Sequence, residues 1–278
     1  MDLKNKVALV TGGAAGIGRA YCEELLKNGA KVSICDINAD AGEEVVQQLS
    51  AKYGKDNVIF CLCDVTDYPQ YEESFQTTIN VFGGLDIVIN NAGIMNDRFW
   101  ELEVDVNLNG VIRGTLLALK FMGKDRNASG RGGIVIVTGS NVGIRPYVSV
   151  PIYTATKHAL IGLTRSFGYF YSLDEYMTLY MVVKILFLQD AYHVNLTGVK
   201  VIALCPGATE TALVSDVKKQ LLSSEYEKAW QRDTASSVVQ KPEHVAKALM
   251  HVIQKGSSGS VWAVDNGQPP REVTFHSS

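Results

Sequence analysis

An open, doubly wound α/β sheet of about seven parallel strands, with helices on both faces, is the fold class this sequence predicts. Three observations carry it. Short apolar runs recur along the chain, amphipathic helical stretches alternate with them, and a glycine-rich turn follows the first run. Strand and helix in alternation imply right-handed crossovers and a parallel sheet covered on both sides.

The first run, 7–10, is continuously apolar, as a strand buried on both faces must be. A helix over 17–27 stops at Asn28-Gly29, and the strand 31–35 ends at Asp36. Residues 42–52 then read as helix, 58–63 as strand ending at Asp64, 68–82 as helix and 85–90 as strand. One long helix is expected over 102–122, followed by a strand at 133–138 and a helix at 153–167. The strand 199–205, a helix at 242–253 and a strand at 260–265 complete the pattern. With no internal repeat and no low-complexity linker, the chain of 278 residues reads as one domain, 1–278.

Composition narrows the partners. A net charge of −3 offers no electrostatic reason to bind nucleic acid or an anionic membrane. No stretch reaches the roughly 18–20 apolar residues that span a bilayer, and the N-terminus lacks a signal-peptide layout, so a cytoplasmic location is expected. Cys22, Cys35, Cys61, Cys63 and Cys205 form no CxxC motif and read as buried free thiols, with Cys61 and Cys63 pointing the same way. The histidines share no ligand spacing with acids or cysteines, His158 reads as structural, and no metal is expected.

The turn between the first strand and first helix carries Thr11, Gly12, Gly16 and Gly18. Glycines allow a close approach to a pyrophosphate, and the helix N-terminus offers unpaired N–H groups and a positive dipole end. This strand–turn–helix context points to a Rossmann-type dinucleotide site. Asp36 stands where a carboxylate accepts from the ribose hydroxyls and repels a 2′-phosphate. Ala15 supplies no basic group for that phosphate, so NAD is favoured over NADP.

Tyr153 and Lys157 lie one turn apart on a helix and share a face. A phenol of pKa about 10 is a poor base at neutral pH, and a nearby ammonium and an oxidised nicotinamide would both lower that value. Tyr153 could then exchange a proton with an alcohol or ketone oxygen that Ser140, just after a strand, holds in place.

These motifs, Thr11-Gly12-x-x-x-Gly16-x-Gly18, Asn90-Asn91-Ala92-Gly93, Ser140 and Tyr153-x-x-x-Lys157, together resemble the short-chain dehydrogenases/reductases over nearly the whole chain. The branch that it is most similar to holds prostaglandin-oxidising and insect-type alcohol dehydrogenases. The resemblance implies an oxidoreductase that moves a hydride between NAD and a secondary or lipid-like alcohol. It adds Asn107 to the catalytic set, holding a water in a proton relay from Lys157. It also implies cofactor contacts by Ile17, Ile37, Asp64, Val65, Asn91, Ala92, Gly93, Pro206, Gly207, Thr209 and Thr211, and by Tyr153 and Lys157 themselves. Family topology places Ile94, Met95, Ile144, Tyr147, Val150, Ile152 and Leu213 around a mainly apolar pocket for a small alcohol or ketone. Val150 departs from the prostaglandin-type pattern, which has a polar amide there. A homodimer is implied, and residues 208–232, richer in Ser, Lys and Glu, read as a lid. Two alternatives stay open: an NADPH-dependent carbonyl reductase, which Asp36 opposes, and a non-catalytic NAD-binding protein, which the full catalytic set opposes.

Residues 169–189 break the pattern. Without them the helix that carries Tyr153 would run on into Asp190 and stop at Gly198. The segment reads as an insert, of isoform or intron origin, that interferes with dimerisation and exposes apolar surface. A genuine extra helix docked on the surface, or one used as a membrane or partner contact, is the alternative.

Overall fold

The computed structural model describes residues 1–126, 130–168 and 192–275. Seven parallel strands form the sheet: β1 (Val7–Thr11), β2 (Lys31–Asp36), β3 (Val58–Leu62), β4 (Ile87–Asn90), β5 (Gly133–Thr138), β6 (Val199–Pro206) and β7 (Val261–Val264). Their spatial order is β3-β2-β1-β4-β5-β6-β7, so the strand order reverses between β1 and β4. An eighth strand, β8 (Arg271–Glu272), pairs antiparallel with β7. The expected count of about seven misses β8 because its two residues are exposed and carry no apolar alternation.

Ten α-helices are described: α1 (Gly16–Lys27), α2 (Ala39–Tyr53), α3 (Tyr68–Phe82), α4 (Trp100–Val104), α5 (Gly110–Met122), α6 (Pro151–Phe167), α7 (Tyr192–Thr197), α8 (Val217–Gln220), α9 (Tyr226–Thr234) and α10 (Pro242–Lys255). Tyr21, Leu25, Val45 and Leu249 pack α1, α2 and α10 onto one face of the sheet, against Ile34 and Ile89. On the other face Phe75, Leu117 and Leu160 pack α3, α5 and α6 against Val88 and Val135. Each such fully buried aliphatic or aromatic side chain contributes about 1.5–3 kcal/mol. All five cysteines are buried and unbridged, and Cys35, Cys61 and Cys63 share the second cluster.

Two differences from the sequence expectation have local causes. Helix α2 starts three residues early because the Asn38 side chain accepts the Ala41 N–H at 3.1 Å and caps it. The single helix expected over 102–122 is two helices, joined by a π-helical turn at Asp105–Asn109. There the Asn107 side chain leaves the helix surface to bind the backbone of Ile94 on both sides, accepting from N at 2.8 Å and donating to O at 2.8 Å. Inserted π turns of this kind recur at functional sites.

Helix α6 ends at Phe167, and Gly168 packs so tightly on the Ser258-Gly259 turn that a Cβ there would collide with the Ser258 carbonyl. The proposed insert, 169–189, lies outside the described residues. After it, α7 runs to Thr197 and stops at Gly198, whose φ of +71° takes the chain into β6.

Candidate active site

The sheet's switch point brings the C-terminal ends of β1 to β6 to one crevice, where a doubly wound fold binds ligands. The glycine turn lies at its centre. Gly12 has φ of +62°, and a Cβ on Gly18 would collide with the Gly12 carbonyl, so both positions require glycine. Asn91 clamps the turn from β4, donating to the Thr11 carbonyl at 3.0 Å and the Gly12 carbonyl at 3.3 Å. Thr11 Oγ1 returns the contact by accepting the backbone N–H groups of Asn91 and Ala92 at 3.0 and 3.1 Å.

Asp36 closes β2 beside this turn. One of its oxygens accepts the Ala14 N–H and the other the Asn38 N–H, both at 3.0 Å. The carboxylate is thereby oriented next to the glycine turn. Ile17 sits in the first turn of α1, Ile37 is 68% exposed, and Asp64 and Val65 follow β3. Asp64 spends one oxygen on Thr66, at 2.8 Å to N and 2.7 Å to Oγ1, while Val65 is buried against Gly110. At the far end Thr209 Oγ1 donates to the Gly207 carbonyl at 2.9 Å, and Thr211 borders Gly16. A helix N-terminus open through glycines, with an oriented carboxylate at the end of the next strand, is a donor and acceptor set that fits a dinucleotide.

Tyr153, Lys157 and Ser140 are all buried around the end of β5. Lys157 Nζ donates to the Thr138 carbonyl at 3.0 Å and stands 5.5 Å from the centre of the Tyr153 ring. The Ser140 hydroxyl faces the Tyr153 phenol and also donates to Asn141 Oδ1 at 3.2 Å. Asn107 comes within reach from the π turn: Gly93 has both Asn107 Oδ1 and Lys157 Nζ beside its Cα. The four residues of the expected catalytic set are therefore brought together.

The electrostatics correct one expectation. Burial pushes the Tyr153 phenol up, with the hydrogen bond from Ser140 opposing and the charge of Glu103 reinforcing the rise. Burial also pulls Lys157 down, to about 8. The ammonium alone does not make this tyrosine an easy base, because desolvation penalises both charged forms.

The pocket also differs in part. Met95, Tyr147, Val150 and Leu213 join an apolar cluster with Tyr153, while Ile144 packs on a neighbouring cluster with Ile161 and Cys205 and also lines the cleft beside Tyr147. The open cleft beside Tyr147 is more polar than expected: besides Ile144 and Ala208 it is lined by Asn141, Arg145, Ser236, Ser237 and Asn266. Residues 208–232 contribute to this cluster: Leu221 is fully buried in it, and Leu213, Val217, Tyr226 and Trp230 pack on it. Arg98 clasps this segment by donating to the Leu221 carbonyl at 2.6 Å. Sequence reasoning missed Arg98, Asn141, Asp97 and Glu103, which are polar residues in irregular segments or a short helix, outside any motif. His158 is exposed, with Nδ1 at 2.9 Å from the Thr154 carbonyl one turn earlier on the same helix. Among the described residues no group of three or more His, Cys, Asp or Glu side chains could hold a metal, and no helix is long and apolar enough to cross a membrane.

Comparison with known proteins agrees with this architecture. Residues 6–173 match the short chain dehydrogenase family model. The chain is 37% identical over 226 residues to 15-hydroxyprostaglandin dehydrogenase [NAD(+)] of Homo sapiens, covering 81% of this chain and 76% of that one. It is 30% identical over 268 residues to alcohol dehydrogenase 2 of Ceratitis capitata, covering 96% and 94%. In fold it is similar to a 3-ketoacyl-(acyl-carrier-protein) reductase from Brucella melitensis complexed with NADH, with a TM-score of 0.70 and 23% identity over 95% of this chain and 98% of that one. The chain belongs to the short chain dehydrogenase family.

Proposed function

We propose that this dehydrogenase oxidises a secondary or lipid-like alcohol with NAD, with Tyr153 as general base. The observation that carries the reading is the convergence of Tyr153, Lys157, Ser140 and Asn107 on the end of β5, beside the glycine turn that Asp36 borders. Bound NAD would supply the hydride acceptor and a positive charge next to the phenol. Thr11, Gly12, Gly16, Ile17 and Gly18 would cradle its pyrophosphate, Asp36 and Ile37 its ribose, and Asp64 and Val65 its adenine. Asn91, Ala92, Gly93, Pro206, Gly207, Thr209 and Thr211 would line the rest.

Ser140 orients the alcohol oxygen, and Tyr153 takes its proton. Lys157, held by the Thr138 carbonyl, favours the phenolate and would pass the proton to a water held at Asn107, and from there to solvent. The apolar cluster under 208–232 receives the carbon chain and excludes water. Asp36 disfavours a 2′-phosphate, which speaks against the NADPH-dependent reductase. A cytoplasmic homodimer is part of the proposal; the five reduced, buried thiols agree with that compartment.

The test is an assay of NAD⁺ against NADP⁺ over secondary alcohols of rising chain length, with Tyr153→Phe as control. NAD-linked turnover that falls about 10²–10⁴-fold in the variant is expected. Equal turnover by wild type and Tyr153→Phe overturns the assignment.

A further inference from the structure

Two acidic side chains lie under the N-terminus of α6, and the chemistry above uses neither. Asp97 is fully buried. Its Oδ2 accepts the Ile152 N–H at 2.8 Å and its Oδ1 the Tyr153 N–H at 3.1 Å. Pro151 has no N–H and Val150 gives no side-chain cap, so these are the first free amides of the helix, and a residue remote in sequence satisfies both. The positive end of the helix dipole suits an ionised carboxylate there. Asp97 therefore fixes the backbone of the proton-transfer tyrosine itself.

Glu103, on α4, is also fully buried. Its Oε1 accepts the Asn96 N–H at 2.8 Å, while its Oε2 is buried without a partner. A carboxylate oxygen left so is costly. The orphan disappears if Oε2 carries a proton and donates it to Asp97, whose side chain faces it. Burial, with the charge of Asp97 reinforcing it, pushes the Glu103 carboxyl up to about 8, and the Asn96 amide and Lys157 oppose that rise. Of the other charged groups nearby, Asp105 in the π turn is spent on Arg113 at 2.9 Å, and Arg98 on Leu221. From α6, Tyr153 and Lys157 face the pair.

We infer that Asp97 and Glu103 share a single proton and together position Tyr153, so that losing this proton at alkaline pH lowers turnover. Glu103 is thus a positioning residue; the link to turnover rests on the role proposed for Tyr153, whereas the shared proton does not. Once ionised, Glu103 sets a second negative charge against Asp97 and further disfavours the phenolate.

Wild type and Glu103→Gln distinguish these steps, since the amide can still donate to Asp97 but cannot lose a proton. The folded protein holds the Glu103 proton up to about pH 8, whereas the unfolded chain loses it near 4.5. Between those values the folded state binds one proton more, so stability falls as pH rises, and the variant escapes that fall. The melting temperature of Glu103→Gln relative to wild type should therefore climb from about pH 4.5 to about 8 and then level off. The ratio of kcat, variant to wild type, should rise roughly tenfold between pH 7 and pH 9. Glu103→Ala, which cannot donate, should lose kcat several-fold with little change in KM, and Gln should restore it. Parallel melting profiles for wild type and Glu103→Gln overturn the shared proton. A climbing melting difference with parallel kcat profiles overturns the positioning of Tyr153. Absence of NAD-linked turnover in wild type would instead refute the proposed function, with the melting comparison still deciding the shared proton.

Discussion

Asp233 on α9 accepts two hydrogen bonds from the buried Ser149, from its backbone N–H at 2.9 Å and from its hydroxyl at 2.6 Å. With the Arg98 clasp on Leu221, this ties the proposed lid at two separate points. Charge-assisted bonds of this kind contribute about 1.5–3 kcal/mol each. Asp233→Ala should loosen the cover, raising KM for the alcohol about tenfold while shifting the NAD dissociation constant little. Steady-state kinetics on the best alcohol, beside an NAD titration, would check this. An unaltered KM would mean that the cover does not gate the pocket.

Asp36 holds the Ala14 amide of the glycine turn, and the proposed function gives it a second task, that of presenting a carboxylate to the cofactor. Asp36→Ala should weaken NAD binding about tenfold or more and narrow the gap to NADP, because the repulsion of a 2′-phosphate goes with the charge. Fluorescence titration with both cofactors measures this. Equal loss for both would assign Asp36 to the turn alone.

The sheet was legible because its apolar runs are buried on both faces and have only one way to be covered. Tyr153, Lys157 and Ser140 were legible for a similar reason: each sits at a fixed offset from a strand or helix end. What escaped reading has no such periodicity. The π turn at Asp105–Asn109 depends on Asn107 finding the Ile94 backbone, a contact made across the crevice. Asp97 caps a helix that starts far along the chain, so no local capping pattern marks it. The phenol's upward shift comes from burial, which only packing reveals.

Lys157 carries its ammonium in a buried site with the Thr138 carbonyl as its hydrogen-bond acceptor, and burial lowers its pKa to about 8. An unfolded lysine titrates near 10.5. Below about pH 8 both states hold the proton, and the folded protein bears the desolvation cost. Between about 8 and 10.5 the unfolded chain binds the extra proton, so the contribution of Lys157 to stability improves as pH rises. Lys157→Met should therefore lose turnover by two orders of magnitude or more yet melt at or above wild type at pH 7, with that advantage shrinking as pH approaches 10. A variant that melts well below wild type at pH 7 would make Lys157 a net stabilising contact instead.

Phe167, at the end of α6, and His193, in α7, pack with ring centroids 4.8 Å apart. The two ends that flank 169–191 are thus in contact. Removing 169–189 would leave Gly168 joined to Asp190, so that one helix could run from Pro151 to Thr197; His193 would then stand five positions after Phe167, on a different face, and the present ring contact would be given up. Lys157 and Tyr153 lie on the first half of that helix, packed on β5 through groups that the removed residues do not supply. The removed stretch is also strongly apolar in its second half, a composition that favours association when exposed. We therefore expect the chain without 169–189 to keep NAD-linked activity, to melt several degrees higher, about what 1–2 kcal/mol produces in a domain this size, and to run as a single species on size exclusion. Full-length protein that proves both more stable and more active would make the segment an integral part of the enzyme, and the helix from Pro151 would then end at Phe167 by design.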